Sequence, residues 1–161
     1  MLLQYGSLET MFTLRKILVP VDFSPCSKHA FEVALRFAER FDASVHVLYA
    51  WEIPVYLRPD LTVWAGEVSA TLADHTRAEA AQGLEGFLAG VEVPAPGRLT
   101  SAVVSGAAHA AILAAAEQGG FDLIAMGTHG RSGFSHLLLG SVAEKVVRHA
   151  KSPVLTVRSR T

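Results

Sequence analysis

One stretch of the sequence, from Phe121 to Arg158, alternates between strand-like and helix-like patterns and constrains the fold more than any other. It opens on the apolar run Phe121–Met126, which has the length of a buried strand, and closes on a second apolar run, Pro153–Val157. Between the two runs lie a glycine-rich loop and a helical pattern over Ser141–Ala150. Because two strands joined through a helix pair in parallel, the stretch predicts an α/β fold.

The loop in this stretch carries glycines at a spacing that suits an anion. The pattern Gly-x2-Gly-x9-Gly-Ser is made by Gly127, Gly130, Gly140 and Ser141. Glycine lets a backbone take a positive φ, or approach a ligand where a Cβ would collide. Ser141 stands where a helix N-cap is expected, and the N–H groups that follow it, beginning with Val142, have no partner inside the helix. Such a helix start, at the positive end of the helix dipole, favours a phosphate.

The same residues also allow a purely structural interpretation. Ser141 and Glu144 have the spacing of a capping box, in which two side chains satisfy the N–H groups of a helix start. Gly127 and Gly130 have no role in such a cap, so the phosphate interpretation is favoured.

The rest of the chain repeats the alternation of strands and helices, which predicts one parallel sheet with helices on both faces. Ser24 followed by Pro25 predicts a helix start, because serine caps helices and proline fits their first position. Residues 52–66 contain Pro54 and Pro59 and show no period, so we expect an irregular connection there. The remaining predicted elements are strands over Lys16–Val21, Ser44–Trp51 and Leu99–Val104, and helices over Cys26–Phe41, from Glu67 or Ser69 to Val91, and over Ala107–Gln118.

Length and composition limit the class of protein. The chain has 161 residues, enough for one domain with a full core, and 50% of them are hydrophobic. A formal net charge of −1 indicates neither nucleic acid nor a membrane as a partner. Because Cys26 is the only cysteine and no signal peptide is evident, we expect a cytoplasmic protein. The histidines show no metal-ligand spacing, so no metal site made by the protein is expected.

Two segments carry a resemblance to a known family. They are KILVPVDFS over Lys16–Ser24 and GTHGRSGFSHLLLGSVAEKVVRHAKSPVLTVR over Gly127–Arg158. Together they resemble the universal stress protein family and its ATP-binding branch. The resemblance implies a three-layer α/β/α, Rossmann-like fold whose five-stranded parallel sheet has the order 3-2-1-4-5. We therefore expect residues 14–161 to form a single universal stress protein domain, preceded by residues 1–13 as a disordered N-terminal extension.

The resemblance also implies a nucleotide site. In the family, the residue that matches Asp22 contacts the ribose hydroxyls, which suits a carboxylate at a strand end, although Asp22 also fits an Asx turn. Backbone groups before Asp22 and at the position of Ala50 hold the adenine, and Met126 lines the same pocket. His129 and Arg131 lie within the glycine loop, where Arg131 either neutralises a phosphate or remains solvated. The predicted contacts of ATP are Pro20, Val21, Asp22, Ala50, Met126, Gly127, His129, Gly130, Arg131, Gly140, Ser141 and Val142, with Mg²⁺ held mainly by the phosphates.

The favoured interpretation is an ATP-binding universal stress protein that acts as a nucleotide-responsive regulatory or protective module. No lysine follows the loop as in a Walker motif and no general base is evident, so we expect at most slow ATP hydrolysis. One alternative is a dimeric family member that binds no nucleotide. Another is an adenine-nucleotide hydrolase, which needs a Ser-Gly-Gly-x-Asp-Ser loop where this chain has Val19–Ser24 without glycine. The family also implies a homodimer paired through the edge strand, residues 153–158.

Overall fold

A computed structural model describes residues 13–54, 56–65, 68–91, 97–129 and 139–158. The predicted N-terminal extension lies outside the described residues, apart from Thr13. In chain order the elements are β1 (Lys16–Val21), α1 (Pro25–Phe41), β2 (Ser44–Trp51), β3 (Thr62–Ala65), β4 (Val68–Thr71), α2 (Leu72–Leu88), β5 (Leu99–Ser105), α3 (Ala108–Gly119), β6 (Leu123–Gly127), α4 (Ser141–His149) and β7 (Val154–Val157).

Five of the strands form one parallel sheet in the order β5-β2-β1-β6-β7. Counted along the chain within this sheet, the strands have the order 3-2-1-4-5, so the predicted Rossmann-like fold is confirmed. β1 lies at the centre and pairs with β2 along its whole length, from Lys16 with Ser44 to Val21 with Tyr49. It pairs with β6 on its other side, and the strand order reverses between these two strands.

Side chains on the two faces of the sheet form two separate cores. On one face, Ile17 of β1 packs with Phe31 of α1, and both side chains are fully buried. On the other face, Leu18 of β1 packs with residues of α3 and α4, among them Ile112 and Val146. Each fully buried side chain of this kind contributes about 1.5–3 kcal/mol. The helices thus form an outer layer on either side of the sheet.

The start of α1 forms as the sequence predicts. Ser24 is the N-cap residue, and its Oγ accepts a hydrogen bond of 3.2 Å from the backbone N of Ser27. Pro25 takes the first helical position, where its missing N–H removes no helical hydrogen bond. The turn between β1 and α1 is therefore short and tightly defined.

Residues 62–65 of the connection after β2 form a strand, where an irregular connection had been expected over the whole of residues 52–66. β3 and β4 form an antiparallel hairpin in which Thr62 pairs with Thr71. Pro54 and Pro59 both precede β3, so neither removes a backbone donor from the hairpin. Pairing between β3 and β4 satisfies the backbone N–H and C=O groups of the hairpin. Strands of four residues are too short for an alternation of apolar and polar residues to be recognised in the sequence.

α2 begins later than predicted, at Leu72 instead of Glu67 or Ser69, and ends at Leu88 instead of Val91. The residues before it belong to β4, so the helix begins only where the hairpin ends.

The first turn of α2 is capped both locally and from a distant part of the chain. The side chain of Thr71 accepts a hydrogen bond of 3.0 Å from the N of Asp74. The N of Leu72 donates to the carbonyl of Leu61 at 2.7 Å. The β3–β4 hairpin brings the carbonyl of Leu61 to the N of Leu72. Helical periodicity in the sequence does not report this contact, so it placed the start of α2 too early.

The helices are of ordinary length. α1 and α2 have 17 residues each. Among the described residues, no helix combines the length and the apolar character needed to cross a membrane.

Gly127, at the end of β6, lies against the first turn of α1. A Cβ built on Gly127 would lie 3.1 Å from three atoms: the backbone C and the Sγ of Cys26, and the backbone N of Ser27. Two of these atoms belong to the backbone, which cannot rotate away as a side chain does. The glycine that the sequence assigned to phosphate binding is therefore required by the packing of α1 on β6.

We expect Gly127→Ala to lower the free energy of unfolding by about 1–3 kcal/mol, the usual cost of overpacking a core. Denaturant unfolding followed by circular dichroism measures this change. Gly86→Ala in α2 is the matched control, because a Cβ there has no atom within 4 Å. Alanine at that position is expected to stabilise the helix by about 1 kcal/mol. Wild-type stability in Gly127→Ala would contradict the tight packing.

His46 of β2 is half-buried between β5 and the segment that precedes β6. Its Nδ1 lies 2.8 Å from Oγ1 of Thr100, and its ring centroid lies 5.6 Å from that of Phe121. Burial lowers the pKa of His46 below its ordinary value of 6.5, because the imidazolium loses hydration in this position.

We expect folding stability to fall as the pH drops below 6.5, because the unfolded chain then takes up a proton at His46 more readily than the folded chain. Above this pH the imidazole is neutral in both states and the contribution vanishes. His46→Gln keeps a polar group beside Thr100 and should lose less stability than the wild type between about pH 7 and pH 5. Melting temperatures measured across this range test the difference. The same pH dependence in both proteins would contradict it.

Candidate functional site

A cavity of about 350 Å³ opens at the carboxyl ends of β1 and β6. From these neighbouring strands the chain continues in opposite directions along the sheet, toward β2 and toward β7. Open α/β sheets bind ligands at such a reversal, because the two loops diverge and leave a crevice. The cavity is lined by Pro20, Val21, Asp22, Ser27, Ala108, Ile112, Met126, Gly127, Thr128, His129, Gly140, Ser141, Val142 and Ala143.

The lining has an apolar and a polar part. Ile112 of α3 and Met126 of β6 are almost fully buried beneath the cavity and supply apolar surface. Asp22 and His129 are the titratable side chains among the described residues of the lining. This combination is typical of pockets that hold a small ligand with both a flat apolar part and polar groups.

The carboxylate of Asp22 closes a turn between β1 and α1. Its Oδ1 accepts hydrogen bonds from the backbone N of Ser24 at 3.1 Å and from the Oγ of Ser24 at 2.6 Å. The N of Asp22 in turn donates to Oγ of Ser27 at 3.3 Å. The Asx turn allowed by the sequence is therefore present, and it places Asp22 on the cavity wall rather than away from it.

Phe23, enclosed by this turn, has a φ of +64°, in the left-handed region. A Cβ in this conformation crowds the following carbonyl, which costs about 1–2 kcal/mol in a residue other than glycine. Aromatic contacts offset this cost, since the ring centroid of Phe23 lies 4.4 Å from Tyr49 and 5.6 Å from Phe87. Phe87 also packs on Phe31, with centroids 5.7 Å apart. We refer to Phe23, Phe31, Tyr49 and Phe87 as the aromatic cluster.

The start of α4 differs from the prediction in a way that matters for the site. The N-cap residue is Gly140, and Ser141 occupies the first helical position without capping the helix. The capping box that the sequence also allowed is not formed, and the side chain of Glu144 instead accepts a hydrogen bond of 2.9 Å from Arg148. Among the residues that the structure describes, no side chain caps the N–H groups of this first turn, and Ser141, Val142 and Ala143 all line the cavity. A helix start of this kind suits an anion.

Backbone contact explains why glycine rather than serine is the cap. The N of Gly140 donates a hydrogen bond of 2.7 Å to the carbonyl of Thr128. A Cβ on Gly140 would lie 3.1 Å from this same oxygen. Glycine therefore lets the two ends of the loop come together beside the cavity.

The first residues of the loop are anchored on β7. The N of Thr128 donates to the carbonyl of Val157 at 2.9 Å, and the Sγ of Cys26 donates to the same oxygen at 3.1 Å. Oγ1 of Thr128 lies 2.9 Å from Nδ1 of His129. These contacts fix where the loop leaves β6 and where the imidazole enters the cavity wall.

Most of the predicted ligand contacts lie together around the cavity. Ala50 is not among the residues that line it, and on β2 it pairs with Val104 of β5. Gly130 and Arg131 lie outside the described residues. The predicted residues that line the cavity are Pro20, Val21, Asp22, Met126, Gly127, His129, Gly140, Ser141 and Val142.

Several lining residues were not predicted from the sequence. Thr128 directly follows Gly127, and Ser27 lies in the first turn of the helix after Asp22, so their closeness in sequence to predicted residues was a usable signal. Ala108 and Ile112 come from α3, and only the return of the chain across the sheet brings that helix to the site. In the described part of the chain, no three His, Cys, Asp or Glu side chains cluster where they could hold a metal ion.

The chain is similar to known proteins over most of its length. A universal stress protein of Methanocaldococcus jannaschii is 32% identical over 145 residues, which are 89% of this chain and 82% of that protein. The structure of the universal stress protein UspA from Lactobacillus plantarum is 27% identical, with a TM-score of 0.70 over 89% of this chain and 97% of that one. The structure of a universal stress protein in complex with cAMP, at 23% identity and a TM-score of 0.58, covers 92% of this chain and 99% of its own and has the same fold.

The family model agrees with these similarities. The model of the universal stress protein family matches residues 13–158, which include every strand of the sheet and the four helices that the structure describes. The chain belongs to the universal stress protein family.

Proposed function

We propose that this protein binds an adenine nucleotide, ATP with Mg²⁺, in the cavity and acts as a nucleotide-responsive module in the stress response. The observation that supports this most is the uncapped start of α4, which lines the same cavity as the carboxylate of Asp22. Cys26, the one cysteine of the chain, is a buried free thiol, as expected of a protein in the reducing cytoplasm.

The phosphates are assigned to the first turn of α4. The N–H groups of Ser141, Val142 and Ala143 have no partners within the helix and lie at the positive end of its dipole. Hydrogen bonds from such groups to charged oxygens contribute about 1.5–3 kcal/mol each. Mg²⁺ is expected to be held mainly by the phosphate oxygens themselves.

The nucleoside is assigned to the β1 side of the cavity. A carboxylate such as that of Asp22 accepts hydrogen bonds from ribose hydroxyls, as acidic residues at strand ends do in dinucleotide sites. Pro20, Ile112 and Met126 provide apolar surface for the base. In this assignment the sugar contacts Asp22 and the phosphates contact the start of α4.

The lining favours binding over rapid turnover. Oδ1 of Asp22 already accepts two hydrogen bonds from Ser24, and Nδ1 of His129 lies beside Thr128, so neither group is placed as an obvious general base. No lysine or arginine is among the described lining residues. We therefore infer a regulatory role with at most slow hydrolysis. The competing function is a dimeric family member that works through its surface without nucleotide.

Calorimetric titration with ATP and Mg²⁺, after bound nucleotide has been stripped, tests the proposal. We expect a Kd on the order of micromolar for the wild type. Ser141→Asp places a carboxylate at the start of α4, where it should repel phosphate and weaken binding by at least about tenfold. The same charge should leave the melting temperature of the ligand-free protein equal or higher, because it favours the helix dipole.

Ser101→Asp is the matched control, since it adds the same charge on an exposed residue of β5 that does not line the cavity. It should bind ATP as the wild type does. A wild type that binds no ATP at millimolar concentration would favour the competing function. Wild-type affinity in Ser141→Asp would remove α4 as the phosphate site.

A homodimer through β7 is the second part of the proposal. Among the described strands, β7 pairs with β6 on one side only and lies at the edge of the sheet. The carbonyls of Pro153 and Val157 accept hydrogen bonds of 2.9 Å from the β6 side. By alternation, the backbone groups of Val154 and Thr156 point to the open edge, where a second copy can pair about a two-fold axis.

We expect Thr156→Pro to convert a dimer into a monomer, because it removes the outward N–H without taking a hydrogen bond from the β6–β7 pair. Thr156→Ala retains the N–H and should remain dimeric. Light scattering at micromolar concentration measures both masses. A monomeric wild type would contradict the proposed dimer.

A further inference from the structure

The turn beside the cavity contains a residue whose conformation conflicts with its side chain. In the described part of the chain, Phe23 and Asp42 are the non-glycine residues with positive φ. Aspartate tolerates this region, whereas a bulky aromatic residue there is an outlier that the surrounding structure must hold in place. Phe23 adjoins Asp22, the proposed sugar contact, so what holds Phe23 bears on the site.

The ring of Phe23 points away from the cavity, into the core between the sheet and α2. It packs on Tyr49 and Phe87 of the aromatic cluster. A Cβ built on Gly83 of α2 would lie 3.1 Å from Cε2 of this ring. A side chain at position 83 would compete with the ring for this space, so glycine there leaves room for Phe23.

The backbone of Phe23 and the carboxylate of Asp22 form one unit. The hydrogen bonds from Ser24 to Oδ1 of Asp22 close over Phe23. If Phe23 left the left-handed region, the N–H of Ser24 would turn away and the carboxylate would lose its fixed direction. The contacts that the Phe23 ring makes with α2 and β2 therefore help to orient the carboxylate of Asp22 on the cavity wall.

We propose that Phe23 is a positioning residue: its ring, seated against Gly83 and Phe87, keeps the turn closed so that Asp22 presents its carboxylate to the two hydroxyls of a ribose. This inference rests on the proposed nucleotide binding. It adds that the core on the α2 side of the sheet determines how strongly the site selects a ribose.

The test compares ATP with 2′,3′-dideoxy-ATP, which lacks both hydroxyls, by calorimetry on the full chain. The wild type should bind ATP at least about tenfold more tightly, the value of one hydrogen bond to a charged group. Phe23→Ala should weaken ATP binding by about tenfold and leave dideoxy-ATP unchanged, so that the ratio of the two affinities approaches one. A ring that merely supports the fold would, when removed, weaken both nucleotides equally.

Two further variants keep the test decisive if Phe23→Ala fails to fold. Gly83→Leu displaces the ring of Phe23 from the α2 side without altering any residue of the cavity lining. It should also lower the ratio of the ATP affinity to the dideoxy-ATP affinity. Gly86→Leu makes the same change on the same helix at a position where a Cβ has no atom within 4 Å, and it should keep the wild-type ratio. In an Asp22→Ala background, which removes the carboxylate, Gly83→Leu should have no further effect on ATP binding.

The outcomes separate this inference from the function on which it rests. A wild type that binds neither nucleotide overturns the proposed function and the inference with it. A wild type that prefers ATP, together with an unchanged ratio in Gly83→Leu or Phe23→Ala, overturns the inference alone. Equal binding of ATP and dideoxy-ATP by the wild type removes the hydroxyl contact and also overturns the inference.

Discussion

The parallel pairing of β1 with β6 is the interaction on which the rest of the structure depends. Ile17 pairs with Leu123, and just before β6 the carboxylate of Asp122 accepts hydrogen bonds from the backbone N atoms of Arg15 and Lys16, at 2.8 and 2.9 Å. A carboxylate that takes two backbone donors holds the entry of both strands in register. Because the strand order reverses at this pair, the same contact that joins the two halves of the sheet also creates the crevice at its other end.

Gly127 and Gly140, two glycines of the motif around the crevice, are needed for backbone packing whether or not a ligand binds. Gly127 is required because α1 approaches it within 3.1 Å of where a Cβ would be, and Gly140 because the carbonyl of Thr128 does the same. Both contacts are between backbone segments far apart in the chain. Their effect is to bring the turn after β1, the end of β6 and the start of α4 around one cavity.

The aromatic cluster connects this cavity to the opposite side of the sheet. Phe23 belongs to the turn that carries Asp22, yet its ring lies among Tyr49 and Phe87, in the core beneath α2. Packed cores respond to a displaced side chain as a unit, because their interior has little free volume. The turn that carries Asp22 and helix α2 are therefore packed together through the aromatic cluster.

Local features of the sequence determined the chain order of the five parallel strands and the helices between them, the start of α1 at Ser24 and Pro25, and the meeting of Asp22 with the start of α4 at one edge of the sheet. Each depends on residues close together in the chain or on the rule that parallel strands share a carboxyl edge. Tertiary structure alone decided that Gly140 rather than Ser141 caps α4, that α2 begins only after the hairpin, and that Ile112 lines the cavity. The physical reason is that these features follow from contacts between distant segments, which neither periodicity nor capping patterns encode.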